Sequence, residues 1–191
     1  MDIIYIIGLG PGDSNSLTLG AIERINSEDL NLLRTKLHPT IDYFVSNDIK
    51  YMSYDYVYER GEDFLGVYEF IADDLIKKVR ENNVINYFVP GNPLVAEKTV
   101  DILINRGVKE NIDIKIIRGM SFIDPILLAV GHNPTDDLKI IDGLDFGSEQ
   151  VDINSGNIIT QVYNNRIASS VKLALAEVYG DEFNIFVVNG A

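Results

Sequence analysis

Residues 2–13 read DIIYIIGLGPGD. The first six, Asp2 to Ile7, form a nearly continuous apolar, β-branched run, the pattern of a strand buried on both faces of a parallel sheet. GLGPGD (8–13) follows directly. Glycine admits close backbone approach and unusual φ, and proline sets the turn, so the stretch is either a ligand loop after a core strand or a structural tight turn. The dinucleotide fingerprint is not met, because its third glycine position holds Asp13 and Pro11 sits where the helix should begin.

The same unit recurs downstream. Val84 to Val89 (VINYFV) predicts a second buried strand ending at PGNP (90–93), and Ile112 to Ile117 a third ending at RGMS (118–121). Three strand-terminal loops of this kind describe one edge of one sheet, which favours the ligand reading. Helices are expected between them. SLTLGAIERINSEDL places Leu17, Leu19, Ala21, Ile22 and Ile25 at helical spacing, with Asp13 or Ser14 as cap. Phe64 to Glu81 has Val67, Phe70, Ile71, Leu75 and Val79 on one side and charged residues on the other. LVAEKTVDILINRG predicts a helix stopped by Gly107, and FIDPILLAVG another.

Strands alternating with helices give an α/β class with a mainly parallel or mixed sheet. Two domains are expected, at residues 1–125 and 126–191. The second has a strand candidate at Leu138 to Ile141, then IITQVYN, a helix over Ile167 to Tyr179, and a strand FNIFVV. The sequence stops at VVNGA, directly after that strand, so a second domain truncated at its C-terminus is expected.

Among 191 residues, 46% are hydrophobic, there is no cysteine, and the formal charge is −13. Disulfides, cysteine–metal sites and a thiolate nucleophile are excluded, and two histidines, His38 and His132, give no basis for a His-based metal centre. The acidity argues against nucleic acid or an anionic membrane as partner. No apolar run long enough to span a bilayer and no signal-peptide pattern occurs, so a cytoplasmic location is expected. A local basic turn, Arg34, Lys36 and His38, suits either substrate carboxylates or solvent, with solvent the blander reading. The tyrosines of YMSYDYVYE (51–59) suit loop packing more than stacking on a flat substrate. His132 reads as a turn residue, Asn164 as a helix cap or cleft residue beside Arg166.

The order GLGPGD, LTLGA, VPGNPLVAE, RGMSF and IITQVYN resembles the tetrapyrrole (corrin/porphyrin) methylase superfamily. RTKLHPTI, PGNPLVAEKTV, GMSFIDP and TQVYNNRIASSVKLALAEVYGD are most similar to its branch fused to a C-terminal MazG-type nucleoside triphosphate pyrophosphohydrolase, the YabN type. The resemblance implies a tetrapyrrole methylase-like fold of two α/β domains with the ligand cleft between them, commonly a homodimer, and S-adenosyl-L-methionine as cofactor. It places the Leu9 backbone near the cofactor, Gly91, Asn92 and Val95 at its amino-acid or sulfur end, Ser121 and Phe122 at ribose and amino acid, and Gln161, in a second-domain strand, near the adenine. The wider family has Asp where Asn92 stands, so an anionic group facing the sulfonium is lost. Asp13 is the candidate catalytic carboxylate, with an N-cap as the equal alternative.

The expected activity is therefore methyl transfer to a small molecule, a tetrapyrrole or related planar compound. The alternatives are a non-catalytic module that senses S-adenosylmethionine or a nucleotide for the attached MazG-type domain, and a structural dimerisation unit. No pyrophosphohydrolase segment is visible in these residues.

Overall fold

The computed structural model describes residues 2–59 and 64–188. The chain divides into two compact units, the first running to Pro125 and the second starting at Ile126.

In the first unit five strands form one sheet, β1 (Ile3–Gly8), β2 (Leu30–Leu33), β3 (Met52–Ser53), β4 (Val84–Val89) and β5 (Asp113–Ile117), in the order β3-β2-β4-β1-β5. Every pairing is parallel. The helices are α1 (Leu19–Ile25), α2 (Ile41–Ser46), α3 (Asp55–Tyr58), α4 (Phe64–Asn82), α5 (Lys98–Glu110) and α6 (Ile123–Val130), the last containing the unit boundary.

The continuous apolar runs of β1 and β4 are explained by two cores. Ile4, Ile6, Ile85, Tyr87 and Val89 pack with α4 and α5 on one face. Ile7, Phe88, Leu33 and Leu9 pack with Ala21 and Ile25 of α1 and Ile41 and Phe44 of α2 on the other. Phe44 meets Phe88 edge-on at 5.4 Å. A parallel strand with both faces covered has no place for alternation, which is why these segments carry so little of it.

One register row breaks the apolar rule. Asn31 of β2 lies beside Asn86 of β4, which lies beside Tyr5 of β1, which lies beside Lys115 of β5. The Asn86 amide donates to Asn31 Oδ1 (2.9 Å), its carbonyl accepts from Arg24 Nε (3.0 Å), and the Arg24 guanidinium stacks 3.7 Å from the centroid of the Tyr5 ring. These buried amides are tolerated because each finds partners.

Several sequence expectations change. The helix after the first loop is two pieces. Asp13 caps only a 3₁₀ turn at Ser14–Ser16, while Thr18 caps α1 through a bond from Ala21 N–H (3.2 Å). Leu17 therefore precedes the helix and Leu19 is 86% exposed. The helix read from LVAEKTV starts only at Lys98, after Ala96 in a left-handed turn (φ +58°). Gly107 does not end it. An added Cβ there would lie 2.6 Å from Ile114 Cγ1, so this glycine lets α5 pack against β5, and the left-handed Asn111 (φ +56°) ends the helix instead.

The second unit has β6 (Leu138–Asp142) and β7 (Gly156–Thr160), paired in parallel, and α7 (Asn165–Tyr179) capped by Asn164, whose Oδ1 accepts from Ile167 N–H (2.9 Å). Ile141 and Val171 are its buried aliphatic side chains among the described residues. FNIFVV (183–188) is not a strand: no described strand pairs with it, and Phe186 and Val187 are 77% and 86% exposed. β-branched composition supplies propensity, but a strand needs a ladder partner for its N–H and C=O groups.

Candidate functional site

Because all strands of the first sheet are parallel, the segments after β1, β4 and β5 emerge at the same edge, and the structure locks them together. An added Cβ on Gly8 would lie 2.4 Å from Gly91 O and 2.6 Å from Gly119 N; one on Gly119 would lie 2.2 Å from Gly91 O. Gly10 and Gly91 exchange backbone bonds, Gly10 N–H to Gly91 O (3.2 Å) and Gly91 N–H to Gly10 O (2.8 Å). Glycine is thus required at Gly8 and Gly119 for backbone-to-backbone contact. Gly91 differs: it has φ +65°, and an added Cβ would meet nothing within 4 Å. Its side of the junction is open, a place where a ligand can approach bare backbone.

Seven of the eight sequence-derived residues belong to the segments that follow β1, β4 and β5. Leu9 is fully buried, its N–H bonded to Val89 O (2.9 Å) and its carbonyl accepting from Thr40 Oγ1 (3.3 Å). Asn92 has both ends of its side chain engaged. Nδ2 donates to Gly119 O (3.1 Å), and Oδ1 accepts from Leu94 N–H (3.0 Å). Val95 closes the same turn through its N–H to Asn92 O (3.0 Å). Ser121 Oγ accepts from Ile123 N–H at the start of α6 (3.2 Å), with Phe122 between them half-buried. Asp13 is exposed, and its two oxygens accept from Asn15 N–H (2.9 Å) and Asn15 Nδ2 (3.1 Å). Gln161 belongs to the second unit, and it lies just after β7 rather than in it, with φ +60°.

One group at this edge escaped the sequence reading. Thr40, wholly buried at the start of α2, donates its hydroxyl to Gly12 O (3.0 Å) and Leu9 O (3.3 Å). The neighbouring His38 accepts the Thr40 N–H on Nδ1 (3.3 Å). Burial lowers the His38 pKa, partly offset by the backbone of Gly10, which the ring also meets, so the basic reading of this histidine gives way to a neutral ring.

Arg34, the residue after β2, is half-buried. It pairs with the buried Glu97, donates Nε to Tyr58 OH (3.1 Å), and with Thr35, Leu37, Asp55, Tyr58 and Glu59 lines a cavity of about 350 Å³. Burial raises the Glu97 pKa, against the opposing pull of Arg34. Asp55 behaves oppositely: burial would raise it, but hydrogen bonds from Thr35 Oγ1 (2.6 Å) and Lys36 N–H (2.9 Å) hold it below the ordinary carboxylate range. The tyrosine run is largely packing, with Tyr54 buried edge-on to Tyr87 and bonded to Asp74 (2.8 Å). His132 lies in the second unit against Gly156.

The model of the Tetrapyrrole (Corrin/Porphyrin) Methylases matches residues 3–191. The chain belongs to this family. A relative within reach of sequence comparison is the uncharacterized protein YabN of Bacillus subtilis (strain 168), 36% identical over 188 residues. That match takes in 98% of this methylase-family chain but 38% of YabN, so the chain spans well under half of its relative. Among solved structures, a diphthine synthase superposes with TM-score 0.65 at 12% identity, covering 92% of this chain and 73% of that one. Uroporphyrin-III C-methyltransferase from Thermus thermophilus, complexed with S-adenosyl homocysteine, gives 0.51 at 16% identity over 73% and 58%. At such identities these likenesses establish the methylase fold.

Proposed function

We propose that this chain binds S-adenosylmethionine and transfers its methyl group to a small-molecule acceptor, as the N-terminal part of a longer YabN-like protein. The observation that carries the reading is the junction of Gly8, Gly91 and Gly119, open on the Gly91 side, in a member of this methylase family. It is supported by the S-adenosyl homocysteine held by the Thermus methyltransferase. The bound cofactor supplies a methyl group on a sulfonium, and the rest is positioning. The backbone of Gly91 and Val95 and the segment Ser121–Phe122 are the groups we assign to holding it, with Leu9 buried next to that site and Gln161 of the second unit as the adenine-side residue. The acceptor class is a tetrapyrrole or similar planar molecule.

Calorimetric titration with S-adenosylmethionine and S-adenosylhomocysteine, with NAD and ATP as controls, tests the reading. Selective binding that Ser121→Trp abolishes supports it; a folded protein that binds neither overturns it.

Asp13 is proposed as the proton acceptor during transfer. Asparagine preserves an N-cap, so Asp13→Asn separates the two roles of this residue. The expected outcome is a turnover loss of about 10²-fold with an unchanged melting midpoint. Unchanged turnover leaves Asp13 a cap alone.

A second reading is favoured by the Asn92 side chain, whose two ends are both spent within the loops. In that reading the unit senses the cofactor and controls a MazG-type pyrophosphohydrolase in the remainder of the protein. Tight cofactor binding without turnover against any acceptor distinguishes it, together with altered hydrolase activity of the full-length protein when this unit is deleted.

A further inference from the structure

The first glycine loop is held from outside by a residue on a different element. Between Leu9 and Gly12 the chain turns through Gly10 at φ +77°, and the carbonyls at the two ends of that turn both face the hydroxyl of Thr40. One hydroxyl proton is shared by two acceptors, at 3.0 Å to Gly12 and 3.3 Å to Leu9. The hydroxyl cannot drift, because Thr40 is itself fully buried and is followed by Ile41 and Phe44, which are locked in the core between α2 and the sheet. Its backbone N–H is fixed by His38 Nδ1 (3.3 Å). The start of α2 therefore grips the loop at Leu9 and Gly12, and the Gly10–Gly91 exchange grips it between them.

We propose that Thr40 is a positioning residue for the cofactor loop: its three-centre hydrogen bond to the Leu9 and Gly12 carbonyls holds residues 9–12 in the shape that receives S-adenosylmethionine. The role rests on the function proposed above and adds to it a residue that touches no ligand. A loop held in its bound shape loses less freedom when the ligand arrives, so the clamp acts on affinity through preorganisation. The Thr40 methyl and hydroxyl differ in what they do: the methyl packs, and the hydroxyl holds the loop.

Two substitutions separate these parts. Thr40→Val keeps the shape and removes the donor, whereas Thr40→Ser keeps the donor and removes the methyl. S-adenosylhomocysteine affinity is measured by calorimetry on both, alongside amide hydrogen exchange of residues 9–13. The expected result is binding weakened about tenfold or more in Thr40→Val, and within about twofold of the parent in Thr40→Ser, a tenfold change being about 1.4 kcal/mol. Exchange at Gly10, Gly12 and Asp13 should accelerate in Thr40→Val alone, with amides of β4 and α4 unaffected. Parent-like affinity in Thr40→Val, or a Thr40→Ser that binds as poorly as Thr40→Val, overturns the proposal. A parent protein that binds no S-adenosylhomocysteine defeats the proposed function; the exchange comparison then decides the clamp by itself, unchanged loop exchange in Thr40→Val refuting it. Should Thr40→Val fail to fold, Thr40→Ser and Thr40→Ala are compared in the same two assays, and equal affinities refute the role.

Discussion

Asn92 shows how a residue's partners can reverse the meaning of its identity. Set beside the aspartate common at this place in the family, it reads as a lost charge. In the structure its amide donates to Gly119 O (3.1 Å) and ties the loop after β4 to the loop after β5. A carboxylate there has no proton to give and would face a carbonyl oxygen. Asn92→Asp is therefore expected to cost about 1–3 kcal/mol, the penalty for a buried acceptor left unpaired, and to weaken cofactor binding rather than improve it. Urea denaturation and the same calorimetric titration check both halves; a more stable variant would refute this account. The sequence made Asn92 visible through its place after Pro90 and Gly91. Thr40 was not visible, because a threonine between Pro39 and Ile41 carries no signal of a contact 28 residues away in the chain.

At the scale of elements, legibility followed length and cover. β4 and α4 have strong patterns and were readable nearly to the residue. β2 was not: only four residues long, it carries Asn31, whose polarity makes sense only beside Asn86 on β4. The final apolar run was overread, since propensity does not reveal whether a neighbour exists to pair with. Gly107 was misread because glycine near a helix end is usually a stop. Its actual task yields a directional test. In an open helix, alanine for glycine stabilises by about 1 kcal/mol. At Gly107 the added methyl meets Ile114 at 2.6 Å, so Gly107→Ala should instead destabilise by about 1–3 kcal/mol, as overpacked sites do. A raised thermal midpoint would show that α5 can shift away from β5 at no cost.

For the molecule as a whole, Glu97 ties pH to stability. Burial raises its pKa above the ordinary 4.5, so the folded chain keeps this proton to higher pH than the unfolded chain does. The sign follows: its contribution is most favourable below about pH 4.5 and declines as pH rises through the raised folded value. Asp55 is shifted the other way, and its contribution is present above its ordinary 3.8 and lost as pH falls below that. The two windows lie on opposite sides of pH 4, so denaturation midpoints across pH 3–7 resolve them. Glu97→Gln should flatten the decline above pH 4.5 while leaving the acid limb intact; an unchanged slope would assign the decline to other groups. Arg34→Met, which strands the buried carboxylate, should cost up to about 3 kcal/mol, the low end for a broken buried pair because Arg34 keeps 26% of its side chain exposed.

The strand order β3-β2-β4-β1-β5 has a consequence for how the chain is made. β4 lies at the centre of the sheet, and among the described residues β1 pairs only with β4 and β5. During vectorial synthesis, everything before residue 84 emerges with β1 unpaired, β2 holding only the two-residue β3, and Asn31 lacking its amide partner. The ribosome thus releases some eighty residues that cannot assemble this sheet, and residues 84–89 act as the keystone whose arrival lets the rest close. A nascent chain stalled before Val84 is expected to stay protease-sensitive and chaperone-bound, and one stalled after β5 has cleared the exit tunnel to become resistant. Pulse proteolysis of stalled ribosome complexes reads that transition directly.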